Sequence, residues 1–220
     1  MAKLVWDKVG ERQYETGTSN GVLFPSGEAN EGVAWNGLVS VKQSPDGAED
    51  TPMFANNIKY LSMTSAENFK GTIEAFTYPV EFQAAEGSKE IAPGVYAGQQ
   101  NREPFDLAYS TLIGNDLKGT DFGEKIHLIY NAKVAPTERA YETVNNDPNA
   151  LTFSWAFTTT PAVPEVVDVR PTAYVAVSSV DTDPGKFQAL KDMLHGTESE
   201  EPKMPTIDEL VTLMKSGEVG

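Results

Sequence analysis

The side chains best able to do chemistry in this chain are two histidines, His127 and His195, and there is no cysteine to join them. A metal centre or an acid–base pair needs partners of defined type close at hand. His127 lies between Ile126 and Leu128 in an alternating run, on the face opposite the apolar one. His195 closes a helical pattern, where a cation is favoured by the helix end. Neither has a second histidine or a carboxylate at ligand spacing. The lack of cysteine removes disulfide scaffolds, thiol catalysis and cysteine-based zinc sites together.

The remaining candidates lead to the same reading. Asp181/Asp183 and Glu200/Glu201 are paired carboxylates, but a calcium loop needs a regular Asp-x-Asp-x-Asp-Gly run, and Asp181-Thr182-Asp183-Pro184-Gly185 only begins one. These pairs read as solvated linker. Gly119-Thr120-Asp121-Phe122-Gly123 contains Asp-Phe-Gly without the other kinase loops and reads as a hairpin turn. No nucleophile elbow, phosphate loop or dinucleotide fingerprint occurs. The expectation is a protein that is not an enzyme, with no catalytic, cofactor-binding or metal residues and no cofactor.

Composition and charge narrow the class further. The chain has 220 residues, 18 of them glycine and 14 proline, which suits a turn-rich β domain better than a helical bundle. Its 32 acidic against 17 basic residues give a net charge of −15, and no window clusters Lys or Arg. A stable grip on duplex DNA needs such a cluster to displace counterions from phosphate. Met1-Ala2-Lys3-Leu4-Val5-Trp6-Asp7 has no apolar signal core, and no apolar run approaches the roughly 20 residues that cross a bilayer. A soluble protein made inside the cell, with no membrane partner, is expected.

The elements that position these residues follow from periodicity. From about residue 33 to 180 the period is two. Phe105 to Ile113 alternates apolar with small or polar residues, and Lys125 to Val134 puts Ile126, Leu128, Tyr130, Ala132 and Val134 on one face. Leu151, Phe153, Trp155 and Phe157 share another face. Pro45-Asp46-Gly47, Asn115-Asp116 and Asn145-Asn146-Asp147-Pro148-Asn149 are turn chemistry, and Asn20-Gly21 is a strong turn signal. Residues 3–30 read as an irregular arm, Pro79 to Ala85 as a short helical turn on the sheet flank, and 84–104 as a long connection. Strands without helical crossovers predict an antiparallel sandwich or barrel.

The last forty residues change period. Asp183 caps a helix with Pro184 at its first position, and Gly196 stops it; Phe187, Leu190, Met193 and Leu194 form its stripe. Thr206-Ile207-Asp208-Glu209 is a capping box that opens a second helix ending near Gly217. Short helices need a surface to lie on. That surface is either the chain's own sheet or a neighbouring subunit. The organisation expected is an N-terminal arm (1–30), a β-sandwich domain (31–180) and a helical C-terminal arm (181–220).

Several segments together resemble the major tail tube proteins of long, non-contractile-tailed bacteriophages. They are Lys3-Leu4-Val5-Trp6-Asp7 through Gly17, Gly32-Val33-Ala34-Trp35-Asn36-Gly37-Leu38 with Ser44-Pro45-Asp46-Gly47-Ala48-Glu49, and Ile73-Glu74-Ala75-Phe76-Thr77-Tyr78-Pro79. Ala92-Pro93-Gly94-Val95 with Gly98-Gln99-Gln100, Ile113-Gly114-Asn115-Asp116, and Leu151-Thr152-Phe153-Ser154-Trp155 with Thr158-Thr159-Thr160-Pro161 continue it. The resemblance covers nearly the whole chain. It implies two packed β-sheets with a flanking helix, hexameric rings stacked into the tail tube of a virion, and assembly in the host cytoplasm. The implied partners are further copies of the chain, the tape-measure protein, tail terminator and distal tail proteins, and DNA in non-specific passage. The loop Pro45 to Asn56 is the expected ring-to-ring bridge. The competing expectation is a monomeric carbohydrate-binding or adhesion β-sandwich using Trp35, Tyr60, Tyr78 and Tyr96.

Overall fold

β-Branched and aromatic residues at period two dominate the middle of the chain, and strands dominate its fold. The computed structural model describes residues 3–26, 31–141, 143 and 150–215. In chain order the elements are β1 (Gln13–Pro25), β2 (Val33–Ala34), β3 (Leu38–Gln43), β4 (Asp46–Gly47), β5 (Asp50–Ala55), β6 (Ile58–Thr64), β7 (Glu67–Asn68) and β8 (Lys70–Ala75). Then come α1 (Phe82–Glu86), β9 (Lys89–Ala92), β10 (Val95–Ala97), β11 (Phe105–Asn115), β12 (Gly119–Val134), β13 (Phe153–Thr159), β14 (Tyr174–Ser178), α2 (Pro184–His195) and α3 (Ile207–Lys215).

The main sheet runs β2-β1-β11-β12-β13-β8-β3, with β14 pairing the middle of β12, and its ladders are antiparallel. The sheet rolls until β3 returns against β1. At that seam a Cβ on Gly21 would lie 2.8 Å from Leu38 Cδ2 and 3.2 Å from Trp35 Cβ, so only glycine lets the two ends approach. The expected mainly-β antiparallel fold is therefore observed, built on one large curled sheet.

Both faces of that sheet are buried. The inner layer is aromatic: Phe82 of α1 sits 4.6 Å from Trp35, 5.1 Å from Trp155 and 5.3 Å from Phe105, ring centre to ring centre. Leu23, Ile73, Leu107, Ile129 and Phe157 complete it. Trp155 donates to Glu86 Oε1 at 2.9 Å, and Arg139 pairs with the same carboxylate while lying over Tyr78 and Phe153. So the expected short helix forms as α1, with Phe82 and Ala85 set into the inner layer and its other residues half-buried. The outer layer is Val22, Phe24, Ile126, Leu128, Tyr130 and Val177, covered by Phe187, Leu190 and Leu194 of α2 and Ile207 and Leu210 of α3.

Both C-terminal helices thus lie on the chain's own sheet. Their predicted caps are in place. Asp183 Oδ1 accepts from the N–H of Gly185 and Lys186, while Thr206 and Glu209 exchange side-chain-to-backbone bonds at 2.9 and 3.2 Å. The predicted end near Gly217 and the turn at Asn145–Asn149 lie outside the described residues. Among the described residues no helix is long and apolar enough to cross a membrane.

Four local expectations are corrected. Residues 13–25 are not an irregular arm but the long strand β1, paired along β11 from Gln13↔Asn115 to Pro25↔Phe105. Asn20-Gly21 makes no turn there; Asn20 is left-handed (φ 52°) within an irregular stretch of that strand. The β11–β12 turn is Asp116-Leu117-Lys118, held by Asn115 Oδ1, so Gly119 to Gly123 are already strand. Finally, Ile126, Leu128 and Tyr130 face the outer layer, but Ala132 and Val134 face the inner one. An extra residue causes the change: β11 advances two residues between its partners for Ile129 and Ala132, while β12 advances three. Asn131 absorbs it at φ 50°, and its N–H donates to Asp106 Oδ1 at 2.6 Å.

Two stability predictions follow from this packing. Phe82→Ala is expected to cost about 3–5 kcal/mol, read from denaturant unfolding, because four aromatic neighbours cannot collapse into the gap. Asn131→Val is expected to cost about 1–2 kcal/mol, since a β-branched residue resists the left-handed conformation, whereas Asn131→Gly stays near wild type in the same titration.

Candidate assembly surface and the His127 cluster

Between β3 and β8 the chain leaves the sheet as one long hairpin. Ser44 N–H still bonds Lys70 O, then β4 pairs β7 and β5 pairs β6. The tip is Asn56-Asn57, both left-handed (φ 51° and 62°), the conformation of a type I′ turn. Pro45-Asp46-Gly47, expected to be a turn, lies instead in the stalk, where Lys70 Nζ meets Asp46 Oδ2 at 2.6 Å. The stretch Pro45 to Asn56 is accordingly one side of a hairpin at most about 36 Å long, from roughly 3.3 Å per residue.

Every residue of β5 and β6 is exposed, yet Met53, Phe54, Ile58, Tyr60, Leu61 and Met63 are large and apolar. Phe54 and Tyr60 are 70% and 71% exposed. Thr51↔Met63 and Met53↔Leu61 pair directly, so these four share one face of the ribbon. An isolated two-stranded ribbon is marginal in water, and a dense apolar patch of this kind marks a contact surface. A second hairpin, β9–β10, exposes Ile91, Val95 and Tyr96. Near the N-terminus Leu4, Val5, Trp6 and Val9 are exposed as well. That segment is nonetheless placed: Gly10 N–H donates to the Asp116 carboxylate, Asn115 Nδ2 to Gly10 O, and Arg12 Nε to Asp7 O.

The four aromatics considered for a glycan platform do not share a surface. Trp35 is buried with its N–H on Thr77 O, and Tyr78 packs edge-on to Trp155 and Phe153. Tyr60 and Tyr96 sit on different hairpins.

His127 is buried at the open end of the inner layer and, contrary to the sequence reading, has a carboxylate partner. Its Nδ1 is 2.7 Å from Tyr174 Oη, and its Nε2 is 2.8 Å from Thr111 Oγ1 and 3.3 Å from Glu15 Oε1. Thr111 in turn donates to Glu15 Oε1 at 2.7 Å, and Lys125 closes on Glu15 Oε2. One neutral imidazole satisfies every bond: Tyr174 O–H donates to Nδ1, Nε2–H donates to Thr111, and Thr111 O–H donates to Glu15. Tyr109 stacks on the ring at 4.6 Å and takes a bond from Gln43 Nε2. A hydroxyl on an imidazole has the look of a nucleophile pair. Here the carboxylate holds the hydroxyl proton itself, and the far nitrogen faces a phenol. The arrangement therefore ties β1, β11, β12 and β14 together.

Burial moves the titrations. It pushes His127 below its ordinary value against the opposing pull of Glu15, and it pushes the Tyr109 phenol up to about 12. Burial also raises the Glu15 carboxyl, but hydrogen bonds from Lys125 and Thr111 outweigh it and leave Glu15 below the usual range. His195 is the last residue of α2, but burial lowers its pKa, against the cation expected at that helix end. Among the described residues no three histidines or carboxylates converge as a metal site, and the Asp181/Asp183 and Glu200/Glu201 pairs lie in turn or coil outside the regular elements.

No protein-family model matches the chain, and no curated protein sequence matches it.

A pH prediction follows from the sign of these shifts. Unfolded His127 binds a proton near pH 6.5 that the folded site resists, so stability is full above that pH and falls as the pH drops below it. The lowered Glu15 adds a further loss at more acid pH. His195 is shifted the same way, also by burial, but as a residue it is exposed where His127 is buried, so His127 carries more of the effect. Chemical unfolding across pH 7 to 5 is expected to show this slope, and His127→Gln is expected to flatten most of it.

Proposed function

We propose that this protein is a self-assembling structural subunit of the tail tube type: copies form rings, and the rings stack into a tube for DNA. The observation that carries the reading is the long hairpin of residues 46–68, which holds six large apolar side chains in water beside a core that is already complete. A monomer gains nothing from such a surface; a repeating assembly buries it at every copy. The resemblance in sequence supplies the ring and the tube. The charge of −15 suits a conduit through which phosphate passes without sticking. In this reading the tape-measure protein fills the tube before DNA does, and terminator and distal tail proteins close its ends.

The test is to replace residues 48–65 with two glycines, so that the stalk is closed directly. The shortened chain is expected to unfold at the same denaturant concentration as the full chain, yet to form no tubes by electron microscopy where the full chain does. Tube formation by the shortened chain, or a full chain that stays monomeric even with tail-initiating proteins present, would count against the reading.

A further inference from the structure

Trp6 is the one exposed tryptophan of the three in this sequence: Trp35 and Trp155 are buried, whereas Trp6 is 75% exposed. It is also held in place. A turn from Lys8 to Glu11 puts Gly10 at φ 89°, a conformation that favours glycine, and the Asp116 carboxylate takes the Gly10 N–H at 2.9 Å. Leu4, Val5, Trp6 and Val9 therefore project as an apolar finger from the β11–β12 turn.

At the other end of the sheet an open cleft of about 460 Å³ lies where β7 and β14 begin. Phe69 and Tyr174, stacked at 4.9 Å, form its floor with Pro161 and Pro171, and Arg170 and Glu67 stand on its rim. Neither Arg170 nor Asp7, the residue after Trp6, has an ion-pair partner among the described residues.

We infer that Trp6 of one copy enters the Phe69–Tyr174 cleft of a second copy, with Asp7 meeting Arg170 and Lys8 turning to Glu67. The finger cannot reach the cleft of its own chain. Tyr174 pairs Ile129, ten residues along β12 from Gly119, which is roughly 30 Å at 3.3 Å per residue. Trp6 is four residues from the anchored Gly10, a reach of about 14 Å at most. A contact joining opposite ends of identical chains is heterologous and repeats without closing unless a rotation closes it. Such a contact propagates a stack along the β12 direction. This inference rests on the assembly reading above and names one of its joints.

The chain has no cysteine, so single cysteines report cleanly. Lys8→Cys and Glu67→Cys proteins, mixed and mildly oxidised, are expected to give a disulfide-linked heterodimer well above that from Lys59→Cys with Glu67→Cys, which tests the hairpin as the rival occupant. Trp6→Ala is expected to raise the concentration needed for oligomers by about tenfold or more, as loss of a buried aromatic anchor does. Tubes that form with the Lys8→Cys/Glu67→Cys pair unlinked and Trp6→Ala at no disadvantage overturn this contact and leave the proposed function standing. Preferential linkage through Lys59→Cys overturns it too. Linked oligomers that never lengthen into tubes keep the contact and remove the tube.

Discussion

Because both faces of the main sheet are covered, each residue of its central strands has to serve one layer or the other, and parity along the strand becomes binding. β12 is the strand on which this bears hardest. Before Asn131 it supplies Ile126, Leu128 and Tyr130 to the layer beneath α2 and α3, and after Asn131 it supplies Ala132 and Val134 to the aromatic layer around Phe82. One added residue at Asn131 makes the exchange. Without it, Val134 would point away from the inner layer it now fills opposite Phe157, and β13 would pair out of step. The bulge is not free. Asp106 is held in a poorly hydrated place, which raises its pKa, and the single N–H of Asn131 only partly offsets that.

Legibility in the sequence follows the same logic. β13 was readable because its alternation is unbroken from Phe153 to Phe157 and each apolar residue enters one layer. The helices were readable because caps are local: Asp183 acts two and three residues on, Thr206 and Glu209 three apart. β12 misled because a left-handed asparagine leaves no mark on hydropathy. β1 was hidden for a related reason, since two register shifts break its period and leave glycine and asparagine where a turn would have them. The His127 cluster could not be read at all. Its partners stand 16 and 47 residues away for Thr111 and Tyr174, and farther still for Glu15, so only the folded sheet assembles them.

The division of apolar residues has a logic of its own. The two buried layers are closed by elements of one chain, with α1 against the inner layer and α2 and α3 on the outer one. Much of what stays in water is gathered on projections: the long hairpin, the shorter β9–β10 hairpin and the anchored N-terminal finger. On the assembly reading proposed above, folding and association would thereby be separated: the subunit would be complete before it met another, and its high negative charge would keep free copies apart until several weak surfaces engaged at once.

The hairpin also has a mechanical side. Its two legs run on directly into β3 and β8, which pair with each other, and β8 is in turn laced to β13 through six residue pairs from Phe153↔Ala75 to Thr158↔Lys70. A pull along the hairpin moves both legs together and therefore loads the β8–β13 ladder lengthwise, in shear, so that its hydrogen bonds resist together instead of parting one by one. Tension applied at the tip is delivered into the sheet along its strands, as a tendon delivers it to bone.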